Sequence, residues 1–163
     1  MPAEITRAKK LLSEICEKYK ANSKHIMQGV KGEELHALDV LSWIKKLKPD
    51  ASLPLKLAAL FHDVDRIVTP KAGGGFKGDR NSKEYKKHKK MHARRSSKFI
   101  IPLLKKIIIN KKTIKAANFL IMHHDDTGEE VKGLKNMELN CLVAADSFAF
   151  FTTVAPKLYA AEG

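Results

Sequence analysis

Ser52-Leu53-Pro54-Leu55-Lys56-Leu57-Ala58-Ala59-Leu60-Phe61-His62-Asp63 is apolar on almost every side and ends in an imidazole and a carboxylate. Ser52 can cap a helix and Pro54 suits its first turn, where a missing N–H costs nothing. Leu55, Leu57, Ala58, Ala59, Leu60 and Phe61 leave such a helix no wet face, so it must be buried. Its terminal His62 and Asp63 are then expected at the core. A buried carboxylate costs several kcal/mol, roughly, unless it is neutralised, paired or bound to a metal. Something in the rest of the chain has to meet Asp63.

Working outward, apolar residues at helical spacing mark about six helices. Ile5, Ala8, Leu12, Ile15 and Tyr19 form the first, and Ala37, Val40, Leu41, Ile44 and Leu47 the second, closed by Pro49. The third ends at His62-Asp63. A loop over 69–78, with Gly73, Gly74 and Gly75, has neither a preceding strand nor a GKS/T sequel and is expected to be a lid or linker, not a P-loop. The fourth helix runs from about Ser82 to Ile101, and Pro102 is expected to start or kink a further piece to about Ile109. The fifth covers Thr113 to His124 and stops near Thr127-Gly128. The last begins near Asn136 and carries Leu139, Leu142, Val143, Ala149 and Phe150 on one side. The expected fold is an all-α compact helical bundle, one domain over 1–163.

Composition narrows the class. The 163 residues are 44% hydrophobic, enough for a real core. Cys16 and Cys141 stand apart on apolar faces with no CxxC spacing, as buried thiols of a reducing compartment do. The charged start, Met1 to Lys10, does not read as a signal peptide, and Phe99 to Ile109 is too short and too interrupted to span a bilayer. A soluble, cytoplasmic protein without a membrane span is expected. Net charge of +13 and a pI near 9.7 favour polyanionic partners: phosphorylated small molecules, nucleic acid or an acidic membrane surface. A basic run over 77–98 offers a possible nucleic-acid contact, but only Phe76 and Tyr85 accompany it, so no base-stacking platform is expected.

Several polar residues fall on the apolar faces. His36 leads the seam of Val40, Trp43, Ile44 and Leu47. Asp146 lies on the stripe of the last helix, where a lone aspartate would be costly. Three helices thus each send an imidazole or carboxylate inward, and one metal would satisfy His36, His62, Asp63 and Asp146 together as a mixed N/O site. A second set follows. His92 precedes the small Ser96 and Ser97, which let its helix press against a neighbour, and His123-His124 ends the fifth helix. Consecutive helical residues differ by about 100°, so either or both imidazoles could flank the site. His88 shares the face of His92 but has lysine-rich neighbours. His25 has no partner in sequence, and nothing is expected of it.

The ordered set His36, His62-Asp63, His92, His123-His124 and Asp146 resembles the HD-domain metal-dependent phosphohydrolase superfamily over about 32–151. That resemblance implies an all-α bundle with the metal site at its centre. His36, His62, Asp63 and Asp146 would be ligands of the shared metal, and His92 with His123 or His124 ligands of a second. The segment after the paired histidines lacks the Gly-Tyr-Pro signature of the cyclic-di-GMP branch, and His62-Asp63-Val64-Asp65-Arg66 does not match the alarmone branch.

The implied activity is hydrolysis of a phosphomonoester or phosphodiester, in a nucleotide or other phosphorylated small molecule, by a metal-activated water. The cofactor would be one or two divalent ions: Mn, Fe, Co, Ni or Zn, with Mg also possible. Asp63 would serve catalysis as well as metal binding. Arg66, one turn on, would present its fork to the phosphate; the competing reading is a salt bridge to Asp65 or Asp125. Asp65, Lys71 and Arg95 are further candidates for the pocket rim. Two alternatives stand beside this reading: a basic helical nucleic-acid-binding protein, and a non-catalytic metal-binding or sensory relative.

Overall fold

The computed structural model describes residues 2–19, 29–69 and 76–156. Among them there is no strand. The helices are α1 (Pro2–Tyr19), α2 (Gly29–Leu47), α3 (Leu53–Phe61), α4 (Asp65–Val68), α5 (Lys83–Ile107), α6 (Lys111–His123), α7 (Gly128–Leu134) and α8 (Met137–Ala149), followed by a π-helical turn over Phe150–Val154. They pack as an all-α bundle around α3. His25, Lys71 and the glycines 73–75 lie outside the described residues.

The capping residues explain where the helices begin. Ser52 accepts the N–H of Leu55, and Pro54 sits in the first turn of α3. Ser82 caps α5 through the N–H of Tyr85, Asn110 caps α6, and Asn136 caps α8. The six apolar residues of α3 from Leu55 to Phe61 are all buried, as a helix without a wet face requires. They are covered mainly by α6 and α2, with α1 and α8 completing the shell. Glu138 of α8 accepts both the N–H and the hydroxyl of Ser52, so the starts of α3 and α8 are tied together. Cys16 is buried and Cys141 half-buried, both as free thiols.

Three details differ from the sequence expectation. Pro102 neither starts nor ends a helix: α5 runs unbroken through it from Lys83 to Ile107. The ring removes one N–H from the ladder, but Ile100 and Leu104 on either side are fully buried and hold the helix in place. A further helix, α7, occupies the segment between the helix expected to stop near Thr127-Gly128 and the one expected to begin near Asn136. Its origin is a capping box, in which the Thr127 hydroxyl accepts the N–H of Glu130 and the Glu130 carboxylate accepts that of Thr127. Finally, α8 does not simply stop but widens into the π-helical turn. There the hydroxyls of Thr152 and Thr153 both reach the carboxylate of Asp39 on α2. No helix among the described residues is long and apolar enough to cross a membrane.

Candidate metal centre

The end of α3 delivers the first two side chains. His62 is its C-cap and is completely buried; Asp63 follows at the turn into α4. The Nδ1 of His62 lies 3.0 Å from the carbonyl of Ala59. A carbonyl only accepts, so Nδ1 carries the proton and, in the neutral ring, Nε2 keeps its lone pair. His124, at the end of α6, repeats the device with its Nδ1 2.7 Å from the carbonyl of Ile121. Both Nε2 atoms are buried without a hydrogen-bond partner.

These nitrogens converge on Asp63 from two sides. Near Oδ2 stand the Nε2 atoms of His62 at 3.6 Å and His36 at 3.8 Å. Asp146 closes this group, its Oδ1 lying 3.0 Å from His36 Nε2 and 3.4 Å from His62 Nε2. Near Oδ1 stand the Nε2 atoms of His92 at 2.7 Å and His124 at 3.4 Å. Within each group, His36-His62-Asp63-Asp146 and Asp63-His92-His124, the donor atoms all lie within 4.8 Å of one another. Four donors about 2.1 Å from a tetrahedral ion are about 3.4 Å apart, close to these separations. Two buried nitrogens aimed at carboxylates suit a positive charge between them, whether a proton or a metal ion. The buried His/Asp groups could therefore hold a metal ion.

Charge balance agrees with that fit. Burial pushes the carboxyl of Asp63 up, but Arg66, His62 and the neighbouring imidazoles overcome it and hold the group well below the usual carboxylate range. Asp146 is likewise driven far down, burial being outweighed by His62 and His36. Burial opposes protonation of His92, yet hydrogen bonds to Asp63 and Asp65 raise its pKa to about 9. For His62 the carboxylates of Asp63 and Asp146 likewise prevail over burial, and for His124 those of Asp125 and Asp63, so both pKa values are raised. The cluster is short of positive charge.

Behind the second group, Asp65 is fully buried and accepts from His92 Nδ1 at 3.0 Å, from Arg95 Nε at 2.9 Å and from the Thr69 hydroxyl. Asp65 thereby fixes the ring of His92 so that Nε2 faces Asp63. This corrects two expectations: Asp65 does not line the rim, and Arg95 turns inward to Asp65 instead of standing at the pocket mouth. The structure also separates the paired histidines. His123 lies in neither donor group; its Nδ1 pairs with Asp126 Oδ2 at 2.6 Å and its ring rests on Phe119, one turn back on α6. One residue of helical rotation gives His124 to the centre and His123 to the edge. His88 packs against Phe76 and Tyr85, away from both groups.

Arg66 does reach the centre, its Nε 3.3 Å from Asp63 Oδ2, and its partner is neither Asp65 nor Asp125. It lines a cavity of about 340 Å3 together with Glu33, His36, Asp63 and Asp146, and across from these with Ser147, Phe150, Phe151 and Val154. Glu33 was not foreseen. It sits one turn before His36 on α2, is only 3% exposed, and neither carboxylate oxygen has a hydrogen-bond partner among the described residues. Burial, with the charge of Asp63 second, pushes its carboxyl up to about 7. The i, i+3 spacing to His36 was the available signal. Phe150 and Phe151 were likewise missed as cavity wall, because it is the π-helical turn that aims them there.

The basic run over 77–98 is partly consumed inside the molecule. Lys89 pairs with Asp125 at 3.1 Å, Lys90 with Glu130 at 2.7 Å, and Arg95 with Asp65.

Fold and site together define an all-α protein with a buried histidine–aspartate centre able to hold a metal. Residues 7–159 match the family described as a domain of unknown function (DUF4202), and the chain belongs to that family. Neither a curated protein nor a solved structure matches it.

Proposed function

We propose that this protein is a metal-dependent phosphohydrolase of the HD-domain kind, acting on a nucleotide or other phosphorylated small molecule. One observation carries the reading: the two oxygens of Asp63 face two separate histidine-containing donor groups, and Asp63, His36 and Asp146 line a cavity together with Arg66. A carboxylate so shared suits a pair of ions, and paired ions suit phosphoryl transfer. His36, His62, Asp63 and Asp146 would hold the first ion, and Asp63, His92 and His124 the second. The bound ion or ions supply Lewis acidity and an activated water.

The remaining chemistry belongs to the chain. Arg66 keeps its charge at all working pH values, held by Asp63, and its guanidinium can bind phosphate oxygens as their charge grows. Glu33 lies at the cavity wall, where its buried carboxyl can exchange a proton with a substrate oxygen; an ion beside Asp63 would favour its charged, accepting form. Phe150, Phe151 and Val154 offer an apolar wall to the part of the substrate that is not phosphate. Phe151 is 69% exposed, which a stacking partner would relieve. About 340 Å3 lies at the small end of ligand pockets and favours a mononucleotide-sized ligand over a polymer.

The test joins metal analysis of the purified protein to a phosphate-release screen over phosphorylated metabolites with Mn, Fe, Co, Ni, Zn or Mg added. Activity that chelator removes and metal restores, and that Arg66→Ala loses, is expected. Stoichiometric metal with no turnover on any phosphoester would favour a sensory or structural site; absence of metal binding would overturn the reading altogether.

A further inference from the structure

The stretch from Tyr85 to His124, most of α5 and all of α6, contains no aspartate or glutamate. Near the metal centre part of its positive charge is used internally, in the pairs of Lys89, Lys90 and Arg95. At the opposite end of the hairpin it is not. Lys105, Lys106, Lys111, Lys112 and Lys115 are all exposed, and none forms an ion pair among the described residues. Lys105 lies roughly 20 Å along α5 from His92, given the rise of a helix.

Two features make this more than a solvated face. Lys111 and Lys112 occupy the first turn of α6, where the helix already presents partial positive charge and no acidic residue offsets it. Local stability argues against cations there. Between the helices Ile109 projects with 94% of its surface exposed, at a corner where a polar turn residue would cost nothing. Together with Ile101, Ile108 and Ile114, and with Lys105, Lys111 and Lys115, it lines a hollow of about 640 Å3.

We propose that this tip is a docking site for an anionic phospholipid surface. Ile109 enters the interface, and the surrounding lysines meet headgroup phosphates and carboxylates. A projecting isoleucine ringed by lysines matches a bilayer, which offers apolar depth and negative charge on the same plane. A nucleic acid would satisfy the lysines but leave Ile109 in water, and among the described residues no aromatic side chain lines the hollow to receive a base. The proposal is independent of the metal site.

The experiment is co-sedimentation of the full chain with vesicles of phosphatidylcholine alone and of phosphatidylcholine mixed with phosphatidylserine, with mixed-sequence RNA as competitor. Binding only to the anionic vesicles, weakening with salt, is expected. Lys111→Gln with Lys112→Gln should reduce it about 25-fold, near fivefold per lysine. Ile109→Ser, which leaves the charge untouched, should reduce it about tenfold. Circular dichroism of each variant should match the parent, since the substituted side chains are exposed. Equal binding to neutral vesicles, or anionic-vesicle binding unchanged by Ile109→Ser, would overturn the proposal. So would RNA displacing the vesicles while its own binding ignores Ile109→Ser, which would make the tip a nucleic-acid contact.

Discussion

Replacing Glu33 with glutamine should stabilise the metal-free protein at alkaline pH and leave it little changed in acid. Burial and the nearby charge of Asp63 raise this carboxyl from 4.5 to about 7. A folded pKa above the unfolded one means that the protonated form is favoured by folding. Its contribution is fully present below about pH 4.5 and is lost as pH rises through about 7. The difference of about 2.5 units corresponds to about 3 kcal/mol at the alkaline limit, most of it lost between about pH 5 and about pH 8. Glutamine keeps the shape and does not titrate, so this component vanishes in Glu33→Gln. Urea unfolding of the chelator-treated parent and variant, at each of those pH values, measures the effect. The variant should gain about 2–3 kcal/mol relative to the parent between the two conditions, with pH effects common to both cancelling. Adding Mn or Zn should shrink the gap, because an ion beside Asp63 offsets the charge that disfavours ionised Glu33. Parallel pH dependence in the two proteins would refute the reasoning, and would mean that Glu33 is solvated or paired.

Asp63→Ala should abolish metal binding and any phosphatase or phosphodiesterase activity while leaving helix content largely intact, as read by metal analysis and circular dichroism; full metal content in the variant would defeat the assignment. His124→Ala should lower the stoichiometry or affinity of metal in a titration of metal-free protein, whereas His123→Ala should not, since His123 is turned to Asp126. Asp65→Asn should weaken binding at the His92 group by about 10–100-fold without changing any ligand, because His92 loses the carboxylate that orients it. His92 is protonated in the metal-free state up to about pH 9. Its stabilising contribution is complete below about pH 6.5 and fades through about 9, so metal must displace a proton below that range. Affinity for the second ion should therefore rise with pH up to about 9, with proton release seen in weakly buffered titrations.

Much of the architecture was legible because burial leaves a plain signature. An all-apolar helix ending in His62-Asp63, and an aspartate on the apolar stripe of α8, can be reconciled only by bringing those residues together. What stayed hidden depends on rotations and on contacts between distant segments. Periodicity cannot say which of two adjacent histidines faces inward when the helix frays at its end, and His124 wins through a carbonyl three residues back. The inward turn of Arg95 follows from Asp65, whose burial no local pattern announces. Glu33 stands near the start of α2, where an acidic residue looks like an ordinary complement to the helix dipole. The capping box at Thr127 and Glu130 was visible in the sequence, yet the expectation passed over α7. The π-helical turn has no such signal, and with it the aromatic wall escaped notice.

A helix with no wet face has a cost in time as well as a benefit in stability. As the chain emerges during synthesis, α3 is complete before α5, α6 or α8 exists, yet α6 supplies much of its cover. Until then only α1 and α2 can shelter its six core-bound side chains, and Leu55, Leu57 and Phe61 remain open to wrong partners. The centre itself is later still. His36 and Asp146 are 110 residues apart in sequence, so their meeting closes a loop spanning most of the protein. The four-donor group is thus complete only when α8 docks, and a chain stalled or clipped before α8 would expose its greasiest segment with that group unfinished.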